Sequence, residues 1–338
     1  MSTEHEVPID PDLPVVDCHH HLFDKASDWL EQITGRRRFL IDEYTDFVSD
    51  GHNVIATVAV ESHGMYRAGG PEELRVVGET EFLNGQAAMA ATNLYHGVQL
   101  AAGIVGAADL RRGKAVKAVL EAHREAAPKR FKGIRYEAMW DADPAVLGTM
   151  FNNPAQLYLD DTFRAGFAEL APLGLSFDAF VLAPQLADIT DLANAFPGTR
   201  IILNHLGQPV GIGSHAGRLE AEYPDWRQHI SNIAKCDNVV VKMGGLGAFL
   251  AGSPTFRSSP PASSEVLAAE WRPYAEAAVE LFGADRVMFE SNLPTDGSGA
   301  FNVVCNAYKR IVADCSESER RDIFAGTATR VYRLDLSS

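Results

Sequence analysis

The chain has 338 residues, 46% of them hydrophobic and 22% charged, and a formal net charge of −15. Such a composition supports a sizeable globular core, and so acidic a surface argues against nucleic acid and anionic membranes as partners. It leaves an anionic small molecule open, because one arginine can reverse the field inside a pocket. The cysteines, Cys18, Cys236, Cys305 and Cys315, form no CxxC pair, and the N-terminus has no apolar signal-like run. Both features point to a cytoplasmic protein with reduced thiols. No run of about 18 apolar residues occurs, so no membrane span is expected.

Residues 1–12 are polar and acidic and read as a flexible arm. VVDCHHH (15–21) follows, a buried strand that ends in three histidines. Side chains alternate along a strand, so His19 and His21 share a face and can chelate one ion, while His20 points away toward packing. Further β-rich runs lie at 53–62, 97–106, 131–137, 175–181, 199–207, 238–245 and 286–291. Helical patterns separate several of them, at 115–127, 186–196 and 263–283, the last with Pro273 as an expected kink. Ser316 and Glu319 form a capping-box signal ahead of a final helix at 317–332. Eight strands alternating with helices predict a single (β/α)8 TIM barrel over 1–338. A doubly wound open sheet is the alternative, but it usually carries a glycine-rich loop where this chain has histidines.

Segments entering the strands are short (PLGLS, FPGT, CDN), whereas segments leaving them are long and varied, as at 63–85, 138–154, 207–226 and 246–264. In a barrel the outgoing loops share the C-terminal face, where active sites sit. The strand ends bring His19, His21, Glu61, His63, Arg135, Asp178, His205, Lys242, Glu290, Ser291 and Asn292 toward that face. Together they form a ring of mostly ionisable groups around one mouth.

In order and spacing, DCHHHLF, NHLGQP and MFESNLP resemble the amidohydrolase superfamily. The closer match is its amidohydrolase-2 branch, which includes sugar-lactone and pyrone-dicarboxylate lactonases and some metal-dependent decarboxylases. The resemblance runs from about residue 13 to 335. It implies that His19 and His21 are metal ligands and that His205 is a third ligand or polarises the substrate. A divalent ion, zinc before manganese, would act as a Lewis acid or lower the pKa of bound water from about 15.7 to about 7. Some lactonases of the branch work without metal, so a metal-free site stays open. Arg135 is a candidate to hold a carboxylate or lactone oxygen, with Arg67 and Asp178 as further substrate-binding candidates. The family commonly has an aspartate after strand eight, as ligand or base. This chain has Asn292 there, an amide that cannot take up a proton, so either the base role passes to Asp296, Glu290 or Glu61, or the site works without that base.

The expected activity is hydrolysis of a lactone or cyclic ester of a small, carboxylated organic acid. A non-oxidative decarboxylase on the same scaffold is one rival. A barrel that binds a ligand without catalysis is another, and a metal-dependent nuclease is disfavoured by the charge. A homo-oligomer is compatible with all of these.

Overall fold

The structure, a computed structural model, describes residues 6–148 and 151–336. Eight parallel strands follow one another round a single sheet in chain order: β1 (Pro14–His20), β2 (Asn53–Val60), β3 (Gln99–Ala107), β4 (Phe131–Glu137), β5 (Ser176–Phe180), β6 (Ile201–Leu203), β7 (Val239–Met243) and β8 (Val287–Phe289). Helices connect most of them, giving the predicted (β/α)8 barrel. Parallel strands covered on both faces read as nearly continuous apolar runs, as β2 (NVIATVAV) and the fully buried β7 (VVVKM) do. The lumen holds its own apolar cluster, including Val16, Val58, Val105, Ile202, Val240 and Met288. Tyr332 and Leu334 belong to the same cluster and close the end where the strands begin.

No ladder joins β1 to β8 among the described residues. The ring is completed at the strands' C-terminal ends, where the Asn292 N–H donates to the His19 carbonyl and the His21 N–H to the Leu293 carbonyl, both at 2.8 Å. The Asp17 carboxylate reinforces the seam by accepting from the Ser291 N–H at 2.8 Å and from the Tyr44 hydroxyl at 2.8 Å. A register shift between Asp17 and His20 reverses the facing of β1. Val16 and Cys18 face the lumen, and after the shift His19 does so too. His20 turns out of the lumen to Thr57 and the Tyr44 ring.

Several segments read as loops contain helices. Val77–Ala90 lies within the long segment after β2, and Leu219–Ala234 carries Pro224 inside it. Predicted strand 199–207 shortens to β6, because the chain turns sharply at Asn204–Gly207 with left-handed φ of 55° and 54° at His205 and Leu206. The final helix divides into Glu317–Arg321, a π turn at Asp322–Gly326 and Thr327–Val331, with the Ser316–Glu319 capping box in place. Residues 6–10, expected in a flexible arm, are tied down instead. Glu6 accepts from the Ser264 N–H at 2.7 Å, and the Lys309 ammonium donates to the carbonyls of Ile9 and Asp10 at 2.9 and 2.8 Å.

Candidate active site

The turn after β6 aims His205 at the end of β8. Its Nδ1–H donates to Glu290 Oε1 at 2.7 Å, and its backbone N–H reaches the same oxygen at 3.2 Å. Gly245 makes room for the ring: a Cβ there would lie 2.5 Å from the His205 Cβ, and its φ of +72° favours glycine in any case. A carboxylate only accepts, so Nδ1 carries the proton and Nε2 is left as a lone pair. His21 has the same tautomer for a different reason. Its Nδ1 is shared between the Val60 and Glu61 carbonyls at 3.1 and 3.0 Å. Burial, with Arg135 beside it, holds the His21 pKa well below the ordinary histidine value, so it is neutral at physiological pH.

Arg135, on β4, is engaged by two acids. Its Nε meets Glu61 Oε1 at 2.6 Å, and its Nη2 meets Glu137 Oε1 at 3.1 Å and the Glu61 carbonyl at 2.7 Å. His63 faces the other side of the same acids, with Nε2 2.7 Å from Glu137 Oε2 and Nδ1 3.4 Å from Glu61 Oε2. Burial opposes charging His63, but the two carboxylates outweigh it and lift the pKa to about 10. Burial likewise pushes Glu137 up, and Arg135 and His63 reverse this and hold it down to about 2.

Beneath the histidines a polar chain descends the lumen. The Lys242 ammonium is fully buried, 3.2 Å from His19 Nδ1 and 2.7 Å from Asp178 Oδ1. Asp178 Oδ1 also accepts from the Asn204 amide at 3.1 Å and from the Tyr332 hydroxyl at 2.9 Å. Burial and the Lys242 charge keep His19 well below the ordinary histidine pKa.

Among the described residues, one group that could hold a metal ion is His19, His205 and Glu290. His21 is not part of that group, although the motifs joined it to His19 and His205 and its Nε2 is not used by the two carbonyls. His21 keeps its ring edge-on to His19, 5.0 Å between centroids. One observation fits an ion there. Glu290 Oε2 is fully buried and makes no hydrogen bond although His19 Nδ1 is 3.0 Å away, which leaves a free carboxylate oxygen beside two imidazole rings.

A cavity of about 260 Å3 opens over this end of the barrel, with His21, Arg135, His205 and Asn292 among its lining residues. Asn292 Oδ1 is buried without a partner. The other predicted site residues are not in this lining. Glu61 gives both oxygens to Arg135 and to His63 and faces a neighbouring cavity. Asp296 is spent on the N–H groups of Gly247 and Ser298 at 3.2 and 3.1 Å, pinning the loop after β8 to the loop after β7. Burial raises its pKa to about 7, but it has no access to the cavity. Asp178 is a lumen strut, and Arg67 pairs with Glu81 at the surface. Sequence reasoning named Glu290 at a strand end but not its partnership with His205, which depends on the left-handed turn at 205–206.

The sequence profile of the family described as Amidohydrolase matches residues 16–334. The protein y4mH of Sinorhizobium fredii (strain NBRC 101917 / NGR234) is 32% identical over 334 residues, covering 96% of this chain and 99% of its own. An L-fucono-1,5-lactonase of Burkholderia multivorans (strain ATCC 17616 / 249) is 25% identical, covering 69% of this chain and 72% of its own. Among solved structures, an amidohydrolase from Burkholderia multivorans with bound zinc superposes with a TM-score of 0.72 at 23% identity, over 95% of this chain and 99% of that one. No helix among the described residues is long and apolar enough to cross a membrane.

Proposed function

The chain belongs to the amidohydrolase family, and on that premise we propose that it is a hydrolase that opens a lactone or cyclic ester, with His205 as general base. The observation that carries this reading is the buried His205–Glu290 pair at 2.7 Å. Glu290 fixes the tautomer and stabilises the imidazolium that forms when Nε2 takes a proton. It thereby supplies, through His205, the acid function missing at Asn292. In the reaction a water in the cavity gives its proton to His205 Nε2, and its oxygen adds to the ring carbonyl. The acyl–oxygen bond then breaks, and the imidazolium returns the proton to the leaving alkoxide. Asn292, whose Oδ1 has no partner and whose O and N are assigned by their surroundings, is the cavity residue whose Nδ2–H is suited to donate to the carbonyl oxygen as negative charge builds on it. Arg135 sets the field at this end of the cavity, but Glu61 and Glu137 balance its charge through Nε and Nη2, so a substrate carboxylate would meet a guanidinium that is already largely engaged. A divalent ion held by His19, His205 and Glu290 would occupy the His205 lone pair, and would then supply Lewis-acid polarisation in place of the histidine's base role.

The test is hydrolysis of a lactone panel followed by acid release. Glu290→Gln should lower kcat by about 10²–10⁴, the range of general-base catalysis, with binding of the ring little changed. An undiminished kcat in that variant, or no turnover of any lactone by the native chain with and without added zinc or manganese, would refute the reading.

A further inference from the structure

Above its polar floor the cavity is walled by apolar side chains. Trp29 and Leu30 come from the helix Asp28–Thr34, Val146 and Leu147 from the short helix Pro144–Leu147, and Phe249 and Leu250 from the segment after β7. Some of these residues form a hydrophobic cluster separate from both the outer core and the lumen. Val146 packs there with Met139, Phe180, Leu182 and Val210, and Leu147 and Leu250 pack against it. A cluster at the mouth contributes less to holding the barrel than to shaping what enters it, and Phe249 is 44% exposed, an apolar surface left uncovered by the chain itself. The lining also holds Ser62, Glu137, Gln208 and Thr295, but Ser62 and Glu137 are already bonded within the protein, which leaves few groups for the hydroxyls of a polyhydroxylated ring, and a buried hydroxyl without a partner is costly. The one guanidinium in the lining is already paired twice.

We propose that the preferred substrate is a lactone bearing a short alkyl or aryl substituent, its ring on the floor beside His205 and its substituent against Leu147, Phe249 and Trp29. The proposal rests on the lactonase reading above and narrows it. The volume of about 260 Å3 lies just below the roughly 300–1,000 Å3 of drug-sized sites, which limits the ligand to one small ring with a short tail.

The experiment uses lactams, which present the same ring carbonyl, as binding probes in titration calorimetry: 2-piperidinone, its 6-pentyl derivative and a trihydroxylated 2-piperidinone. Each buried methylene is worth about fourfold in affinity, so the pentyl compound should bind at least tenfold more tightly than the parent ring and the trihydroxylated ring no more tightly than the parent. Leu147→Asp, and independently the more exposed Phe249→Ser, should erase most of that gain. Binding of the trihydroxylated ring as tight as that of the pentyl compound, or a gain that survives both substitutions, would overturn the proposal. Lactam binding does not depend on turnover, so loss of the hydrolase reading would appear separately, as apolar preference in binding with no lactone opened.

Discussion

Replacing Arg135 with Met tests the electrostatic frame of the site most directly. Arg135 is 5% exposed, and its guanidinium holds Glu61 at 2.6 Å and Glu137 at 3.1 Å. Methionine keeps much of the stem and removes the charge, leaving two buried carboxylates with only His63 between them. Breaking a buried ion pair from one side costs about 3–5 kcal/mol. Unfolding entropy near 60 °C is about 2.1 cal/mol/K per residue, or about 0.7 kcal/mol/K for 338 residues, so Tm should fall by about 4–7 °C in scanning calorimetry. Adding Glu61→Gln to Arg135→Met removes one stranded charge and should return at least 1 kcal/mol, whereas Glu61→Gln alone destabilises, so the double-mutant cycle must be strongly non-additive. A Tm within 1 °C of the native value, or a cycle that adds, would show that Arg135 does not clamp these acids.

The His63 pKa of about 10 lies above its ordinary value of 6.5. Its contribution to stability is therefore fully present below pH 6.5 and lost as pH rises through 10. Its side chain is 36% exposed, and solvent screening limits the effect to about 1 kcal/mol. His63→Gln should flatten that alkaline loss, and matching slopes of stability against pH from 6.5 to 10 in the two proteins would disprove the assignment. The His19→Ala/His205→Ala double variant should lose the zinc or manganese retained by the native chain in elemental analysis, and full metal content in it would sink the ligand assignment. Gly245→Ala should press on the His205 ring at unchanged fold and lower kcat about 10²-fold, the usual cost of displacing a reacting group by about 1 Å. Native kcat in a folded Gly245→Ala would show that the close packing against His205 is not needed.

The barrel was legible because parallel strands announce themselves as apolar runs, and the strand-end residues because alternation fixes which side chains reach the mouth. Alternation also paired His19 with His21, but it does not reveal the shift in β1 that brings both to the lumen side after Cys18. Nor does it show that His205 leaves the strand in a left-handed turn, which is why Glu290 was named as one base among three and not as the partner of His205. Arg135 looked free because Glu61 lies beyond another strand, at a distance the sequence does not give; Glu137, two residues along β4 on the same face, is the partner that alternation could have shown. The apolar walls were missed for another reason: Trp29, Leu147 and Phe249 sit in connecting segments whose short helices leave too few residues for a periodicity to show.

The hydroxyl of Tyr332 on Asp178 has a consequence for the order of synthesis. Ribosomes add about 5–20 residues per second, so roughly 5–20 s separate the appearance of Lys242 from that of the tyrosine that completes its support. Until then Asp178 Oδ1 lacks the Tyr332 hydroxyl it accepts from, and the strand-start end of the lumen lacks Tyr332 and Leu334. The far end of the chain thus supplies the last support of a polar column whose top is set by the first strand, so the two ends of the sequence meet in one hydrogen-bonded path.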